Sequence, residues 1–337
     1  MAKKPACVLI FAFFILFSTS ALSAADEINK NFHRSFDVKK GDALSLRFGD
    51  GNVKIVPWEK DVIDVSVRYR ADIAVAGVRL GGRNDFEVEF RQTSDTVYVT
   101  GKEPSGGAIG FYNEKVYEYV YEIHAPDYVR LDLEGDDGDV TVENWAAEID
   151  CRIDDGDVQL KSISGGRTAI RGEDGDVKIE KLTGDLTIGI DDGDVTLTAC
   201  DLGSCRVESE DGNVTVRQSG GSFDITVDDG NVVMENIKAQ LLHIVTADGD
   251  IEVELLAGPT LDAELQTDDG DIRIDLERGF PVSFNVSADD PDYIHLDLEA
   301  IEGYKEDRYG KSGSINGGDG RLRIRTADGD VEIREKR

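Results

Sequence analysis

An Asp-Gly pair followed by Asp or Asn and then by Val or Ile recurs ten times in this chain, starting at Asp50, Asp137, Asp155, Asp174, Asp192, Asp211, Asp229, Asp248, Asp269 and Asp328. From Gly138 to Gly270 the glycines are 18, 19, 18, 19, 18, 19 and 21 residues apart. A fixed period of this kind belongs to stacked repeats, in which each unit contacts only its neighbours. It therefore predicts one elongated body in a chain of 337 residues that could otherwise hold two ordinary domains.

Aligning the copies on their glycine shows how one unit folds. Two residues after it stand Val140, Val158, Val177, Val195, Val214, Val232, Ile251 and Ile272, and four after it Val142, Leu160, Ile179, Leu197, Val216, Met234, Val253 and Ile274. Polar residues alternate with them, so these positions form one face of a short strand. Five residues before the glycine come Leu133, Cys151, Ile170, Ile188, Val207, Ile225, Ile244 and Leu265, with a further apolar column seven before it, which predicts a second strand of the same parity. Seven after the glycine stand Trp58, Trp145, Ile163, Leu182, Cys200, Ile237 and Leu256, interrupted by Ser219, and these are expected to face inward too. Two strands and two corners in 18 or 19 residues make one flattened coil, and successive coils stack about 4.8 Å apart as two facing parallel sheets. One coil cannot bury enough apolar surface to offset the entropy of ordering it, so the fold requires repetition. The expected fold is an all-β, single-chain parallel β-solenoid with irregular caps at both ends.

The pattern divides the chain into residues 1–25 as a leader, 26–130 as an N-terminal β region with degenerate coils and a cap, 131–280 as the regular array, and 281–337 as a degenerate coil, loop and C-terminal cap. In the leader, Lys3 and Lys4 precede an apolar run from Val8 to Phe17, and the small residues Ser20, Ala21, Ser23, Ala24 and Ala25 come next, the layout of a cleavable secretory signal. The run is too short to span a bilayer, and no second one appears, so no membrane insertion is expected after cleavage. Cys7 precedes the apolar run and is not placed for lipid attachment. The implied location is a periplasm, the cell surface or the medium. Outside the array, Val88, Phe90, Val97 and Val99 fit the inward template around Asp95, and Phe284 and Val286 fit it around Pro291, which predicts an eroded coil near each end. The stretches Val62 to Tyr69 and Val116 to His124, with a Gly/Ser-rich turn from Gly101 to Gly110, predict hairpins or a lateral cap, and Glu302 to Gly318 predicts a cap at the other end.

The formal net charge is -32, from 69 acidic against 37 basic residues. Such a surface repels phosphate backbones and anionic lipid heads, which argues against nucleic-acid binding. With 40% of residues hydrophobic and regularly alternating, the acidity belongs to a folded surface rather than a disordered tail.

The ordered set of Phe36-Asp37-Val38, Gly41, Leu44 and Leu46, the copy at Asp50, the array, and the closing Gly317-Gly318-Asp319-Gly320 with Leu322, Ile324 and Thr326 before the copy at Asp328 resembles the bacterial putative-adhesin family of exported β-solenoid domains, a domain of unknown function. The resemblance spans about residues 32 to 334. It implies a β-helical fold and a cell-envelope setting, and it brings no catalytic residues.

Stacked corners bring carboxylates into columns, and calcium favours such oxygen ligands. Asp137, Asp139, Asp155, Asp157, Asp174, Asp176, Asp192 and Asp194 are the candidate ligands of a calcium-binding acidic β-roll. The other reading makes the corners turns, since Asp and Asn side chains accept backbone hydrogen bonds and Gly supplies positive φ. Asn52, Asn213 and Asn231 at the second acidic position favour the turn, and no cofactor is assigned. Cys200 and Cys205 flank the opposite corner of one coil, which predicts a disulfide there in an oxidising compartment, the alternative being free buried thiols. Cys151 lies three coils earlier, roughly 14 Å away and out of reach. His33, His124, His243 and His295 are scattered and no nucleophile elbow or phosphate loop appears, so no catalytic residue is assigned. A carbohydrate-active β-helix enzyme is the rival class, but the outward column Thr141, Gln159, Lys178, Thr196, Thr215, Val233, Glu252 and Arg273 shows no cluster of acids. The expected function is a non-enzymatic structural or adhesin-like scaffold that engages an envelope protein or glycan.

Overall fold

The computed structural model describes residues 25–84, 86–103 and 105–336, with side chains described outside 25–27, 72–84 and 105–117. The leader, including Cys7, lies outside the described residues. Among the described residues twenty-six strands join one hydrogen-bonded network, and the only helical element is a short 3₁₀ turn, Pro291–Tyr293. Strands that precede an Asp-Gly corner pair in parallel with their counterparts one repeat away: Leu131 with Ile149, Cys151 with Ile170, Ile188 with Val207, Ile225 with Ile244, Ile244 with Leu265. Strands on the far side of each corner do the same, as in the series Val140, Val158, Val177, Val195, Val214, Val232, Ile251 and Ile272. The chain is thus an all-β solenoid, and the ladder runs without a break across residues 130 and 280.

The inward columns are buried in one continuous core, because period-two alternation in stacked strands sends every second side chain to the same side. Two assignments need correction. Leu255, not Leu256, faces inward, in register with Ile237 and Leu276. In six consecutive coils the second corner turns through a non-glycine residue of positive φ, at Asn144, Ser162, Lys181, Ala199, Gln218 and Asn236. The next coil has no such residue, so its strand continues one position further and presents Leu255. Trp145 is fully buried as expected, but Trp58 is only half-buried, with its ring 5.5 Å from His124 and Lys60 above it at 4.3 Å.

A third inward column stands three residues before each glycine: Phe48, Gly135, Ile153, Gly172, Ile190, Ser209, Val227, Thr246, Thr267 and Thr326. Its small and polar members hide it from a search for apolar periodicity. Gly135 gives the Phe48 ring room, since a Cβ there would lie 2.3 Å from it. The three threonines are buried and donate their hydroxyls to the corner carbonyls of the preceding coil, Thr246 to Gly230 at 3.3 Å, Thr267 to Gly249 at 3.1 Å and Thr326 to Gly270 at 3.3 Å. A buried hydroxyl needs such a partner, and here it fastens one coil to the next.

At both ends the order of coils in space departs from their order in sequence. The strand Ala43–Asp50 lies between Arg130–Asp137 and Thr96–Lys102, parallel to both. Asn52–Pro57 likewise lies between Val140–Trp145 and the end of Ser105–Ala125. Residues 96–102 and 120–125 therefore make the outermost coil, although they come after the first Asp-Gly copy in the chain. The other end mirrors this. Gly320–Asp328 and Val331–Glu335 are inserted between the coil of Asp269 and a last coil made by Val282–Ser287 and Ile294–Asp297.

The eroded coil around Pro291 therefore exists, and it is the outermost. That around Asp95 does not: Glu87–Gln92 and Thr96–Lys102 form an antiparallel hairpin, and Val97 and Val99 stack on Leu44 and Leu46. Nor is Gly101 to Gly110 a turn, for the strand Ser105–Ala125 starts at Ser105 and pairs with Val62–Asn84. A free parallel edge exposes a row of unpaired N–H and C=O groups. At one end antiparallel strands cover both sheets, Val62–Asn84 and Ala25–Asp37 on one and Glu87–Gln92 on the other; at the other end Gly310–Ile315 and Glu302–Asp307 cover Val282–Ser287, while Ile294–Asp297 pairs, among the described residues, with Val331–Glu335 alone. Phe86 stacks on Tyr69 at 4.7 Å and meets Tyr119 edge-on at 4.9 Å, closing the core at the amino-terminal end.

Candidate functional site

The Asp-Gly corners form one long edge, and two sets of hydrogen bonds of opposite direction run along it. Each corner glycine N–H donates to the carbonyl of the Asp one coil on, at 2.9 to 3.1 Å from the Gly51–Asp137 pair to the Gly270–Asp328 pair. In return the residue after each glycine donates its N–H to the side-chain Oδ1 of its counterpart one coil back. This second ladder runs from Asn52 through Asp139, Asp157, Asp176, Asp194, Asn213, Asn231, Asp250 and Asp271 to Asp330, nine links of 2.8 to 3.2 Å. Asn serves as well as Asp because only an acceptor oxygen is required. The glycine is required for closeness as much as for dihedral freedom. At Gly193, φ is +140° and an added Cβ would lie 2.2 Å from the Gly175 carbonyl oxygen.

Of the candidate calcium ligands, Asp139, Asp157, Asp176 and Asp194 therefore spend Oδ1 on the ladder, while Asp137, Asp155, Asp174 and Asp192 offer their main-chain carbonyls to it and leave their side chains exposed. Among the described residues no group of three or more His, Cys, Asp or Glu side chains is arranged to hold a metal ion. The crowding of charge is felt at Asp192. Desolvation at the packed corner, then repulsion from Asp211, Asp174 and Asp191, raise its carboxyl above the ordinary value.

Cys151, Cys200 and Cys205 are free thiols, all buried. Burial, with repulsion from Asp150, pushes the Cys151 thiol up to about 12. Burial, with Cys200 and Asp224, does the same for Cys205, to about 12. Thiols so raised are poor nucleophiles at neutral pH. Cys200 sits beside Ser219, whose hydroxyl accepts from the Cys200 N–H at 3.1 Å and donates to the Arg217 carbonyl at 2.8 Å. That bond explains how a serine replaces an apolar residue in the column.

Two histidines meet carboxylates: His33 Nε2 lies 2.9 Å from Asp64 and His243 Nδ1 lies 2.9 Å from Asp224. Ser35 also donates to Asp64, at 2.5 Å. The carboxylate thus stands between hydroxyl and imidazole, whereas nucleophilic catalysis needs the imidazole between hydroxyl and carboxylate. Burial opposes ionisation there, yet the bonds from Ser35 and His33 hold the Asp64 carboxyl below its ordinary value. His124 faces Trp58 and His295 lies on the outward column beside Glu332. His33 and His124 both stand by Asp64, the first through its hydrogen bond and the second as the residue paired with it across the strands, while His243 and His295 lie on other strands.

The outer face of the sheet that precedes the corners carries further polar groups. Arg47 forms ion pairs with Asp132 at 3.1 Å and Glu134 at 2.9 Å, and Arg206 pairs with Glu208 at 2.7 Å. Two adjoining hollows lie on this face, of about 390 and 550 Å³, and a third of about 570 Å³ lies further along it beside Leu241, Asp262 and Arg321. No signal in the alternation of the sequence marks them, because the outward positions that line them vary freely without disturbing the core.

A parallel solenoid with a laddered Asp-Gly edge and hairpin-covered ends is the class of protein these features define. The Toastrack family model (DUF4097) matches the chain over residues 39–219 and again over 182–334, so the chain belongs to that family, a domain of unknown function. No curated protein matches it. Among solved structures, it is similar to one described as a putative cell adhesion protein from Clostridium sporogenes ATCC 15579, at 10% identity over 91% of this chain and 100% of that chain, with a TM-score of 0.20. Structures described as putative adhesins from Parabacteroides distasonis ATCC 8503 and Bacteroides fragilis NCTC 9343 match at 9% and 12% identity, each over 91% of this chain and 97% of theirs, with TM-scores of 0.32 and 0.31. Likenesses this distant bear on neither the fold nor the activity. Among the described residues no helix is long and apolar enough to cross a membrane.

Proposed function

We propose that the chain is an exported, non-enzymatic scaffold that holds a protein or glycan partner at the bacterial cell envelope, in the manner of an adhesin. The observation that carries this reading is the unbroken side-chain ladder from Asn52 to Asp330. It ties ten coils into a stiff rod and uses the most repeated residues of the chain for construction, not for chemistry. Antiparallel covers on three of the four terminal strands limit extension of the rod edge to edge. The leader supports export, and the arrangement of hydroxyl, carboxylate and imidazole around Asp64 supports a non-catalytic role.

The test is incubation of the purified chain, without residues 1–25, with envelope polysaccharides in calcium and in chelator. Intact polysaccharide, and a melting temperature that differs by less than about 2 °C between the two conditions, is the expected result. Shortened polysaccharide would overturn the non-enzymatic reading, and a large rise with calcium would make the acidic edge a metal site.

A further inference from the structure

The geometry points to a glycan-binding groove on the outer face of the sheet that precedes the Asp-Gly corners, and we propose that it takes a linear sugar chain carrying carboxylates at intervals. The smaller hollow, of about 390 Å³, is lined by Tyr98, Arg130, Glu148, Asp150 and Arg167 among others. The hollow beside it, of about 550 Å³, is lined by Arg152, Arg171, Thr187, Gly189 and Glu208 among others. The Arg171–Asp150 ion pair, at 3.5 Å, joins a residue of one to a residue of the other, so the two are parts of one shallow groove.

Three features fit it to such a ligand. The first is unspent charge. Arg47, Arg171 and Arg206 on this face are ion-paired, but the guanidinium groups of Arg130, Arg152 and Arg167 have no hydrogen-bond or ion-pair partner among the described residues. A guanidinium presents a planar fork of donors that matches a carboxylate. The second is spacing. Leu131, Ile149 and Thr168 are paired in register, so Arg130, Glu148 and Arg167, one residue earlier in each strand, share a column with the two arginines two coils, or about 10 Å, apart. The third is the floor. Gly189 faces outward with nothing within 4 Å of where a Cβ would stand, and Tyr98 offers a ring against which Arg91 already packs at 3.9 Å.

Asp132, Glu148 and Asp150 in the first hollow and Asp154, Glu173, Asp191 and Glu208 in the second set the limits. They can accept hydrogen bonds from sugar hydroxyls, and they repel a chain charged at every unit. A glycan with a carboxylate on every second sugar meets both demands. The groove rests on the scaffold reading in taking this face to be free for a ligand.

The experiment is calorimetric titration of the chain without residues 1–25 with a hyaluronan hexasaccharide, which carries a carboxylate on every second sugar, against chitohexaose as the neutral control. The expected result is binding of the first alone, weakened at least tenfold in the Arg130→Ala/Arg167→Ala double variant and unchanged in Arg278→Ala, a distant exposed guanidinium. Circular dichroism of the double variant confirms that it folds. Absence of binding, equal binding of both sugars, or indifference to the double substitution would overturn the groove while leaving the scaffold reading intact. That reading fails separately, by mass spectrometry showing the hexasaccharide cut.

Discussion

Trp145 and Trp58 both stand seven residues after a corner glycine, one in the interior of the stack and one in the coil next to its end. Trp145 is fully buried and its Nε1 donates to the Val129 carbonyl at 2.9 Å, because the chain turns back at once into the next coil. Trp58 is half-exposed and donates to the Val62 carbonyl at 2.7 Å, because there the chain leaves the stack and starts the antiparallel cover. The same residue at the same repeat position acquires a different environment from the path the chain takes after it. A repeat unit fixes its own strands, and its neighbours fix its burial.

Breaking this contrast gives the largest effect. Trp145→Ala should cost about 3 to 5 kcal/mol, the usual loss for a large buried aromatic, and Trp58→Ala about 1 kcal/mol, measured as shifts in urea midpoint at constant slope. Similar costs would mean that the end coils are as tightly packed as the interior. A second contrast separates closeness from dihedral strain. Gly193 and Gly41 both have positive φ, but a Cβ at Gly41 meets nothing within 4 Å. Gly41→Ala should cost the strain alone, about 1 to 3 kcal/mol, and Gly193→Ala clearly more, because the coil above must move away from the new methyl group. Equal losses would show that the stack tolerates that movement.

The smallest effect concerns the ladder. Asp194 Oδ1 accepts from the N–H and the side-chain amide of Asn213, at 2.8 and 3.1 Å. Asp194→Asn should stay within about 0.5 kcal/mol of the native stability, as the natural Asn copies suggest, and Asp194→Ala should lose about 1 kcal/mol. If both lose the same amount in chemical denaturation, charge and not hydrogen bonding is what the corner needs.

The strands, their parity and most of the core were legible because a stacked repeat writes one set of contacts many times over. Ten copies of one corner leave little room for another period. The column of Gly135, Gly172 and the threonines was not legible, since its members are chosen for room and for hydrogen bonds to a neighbouring coil rather than for apolarity. The positive-φ corner at Asn144, Ser162, Lys181, Ala199, Gln218 and Asn236 was also hidden, for four of the six are residue types with no special claim to that conformation. Leu256 was misplaced for that reason. The acidic candidates and their use as hydrogen-bond acceptors were legible, but their partners were not: Asp139, Asp157, Asp176 and Asp194 accept from the next coil, at a distance that exists only once coils are stacked.

By itself the sequence determined the coil: its length, its two strands, the glycine corner and the acceptor just past it, all of which depend on local dihedrals and alternation. Only the tertiary structure decided the order of coils at the ends. Residues 96–102 and 120–125 stack outside the first Asp-Gly copy and residues 320–335 stack inside the last eroded one, because parallel pairing depends on matching edges and leaves chain order free wherever the connecting segment is long enough to reach. Arg130, Arg152 and Arg167, unpaired among the described residues, belong to the same category: they carry no signal in the sequence, and they come onto one outer face only because successive repeats stack about 5 Å apart.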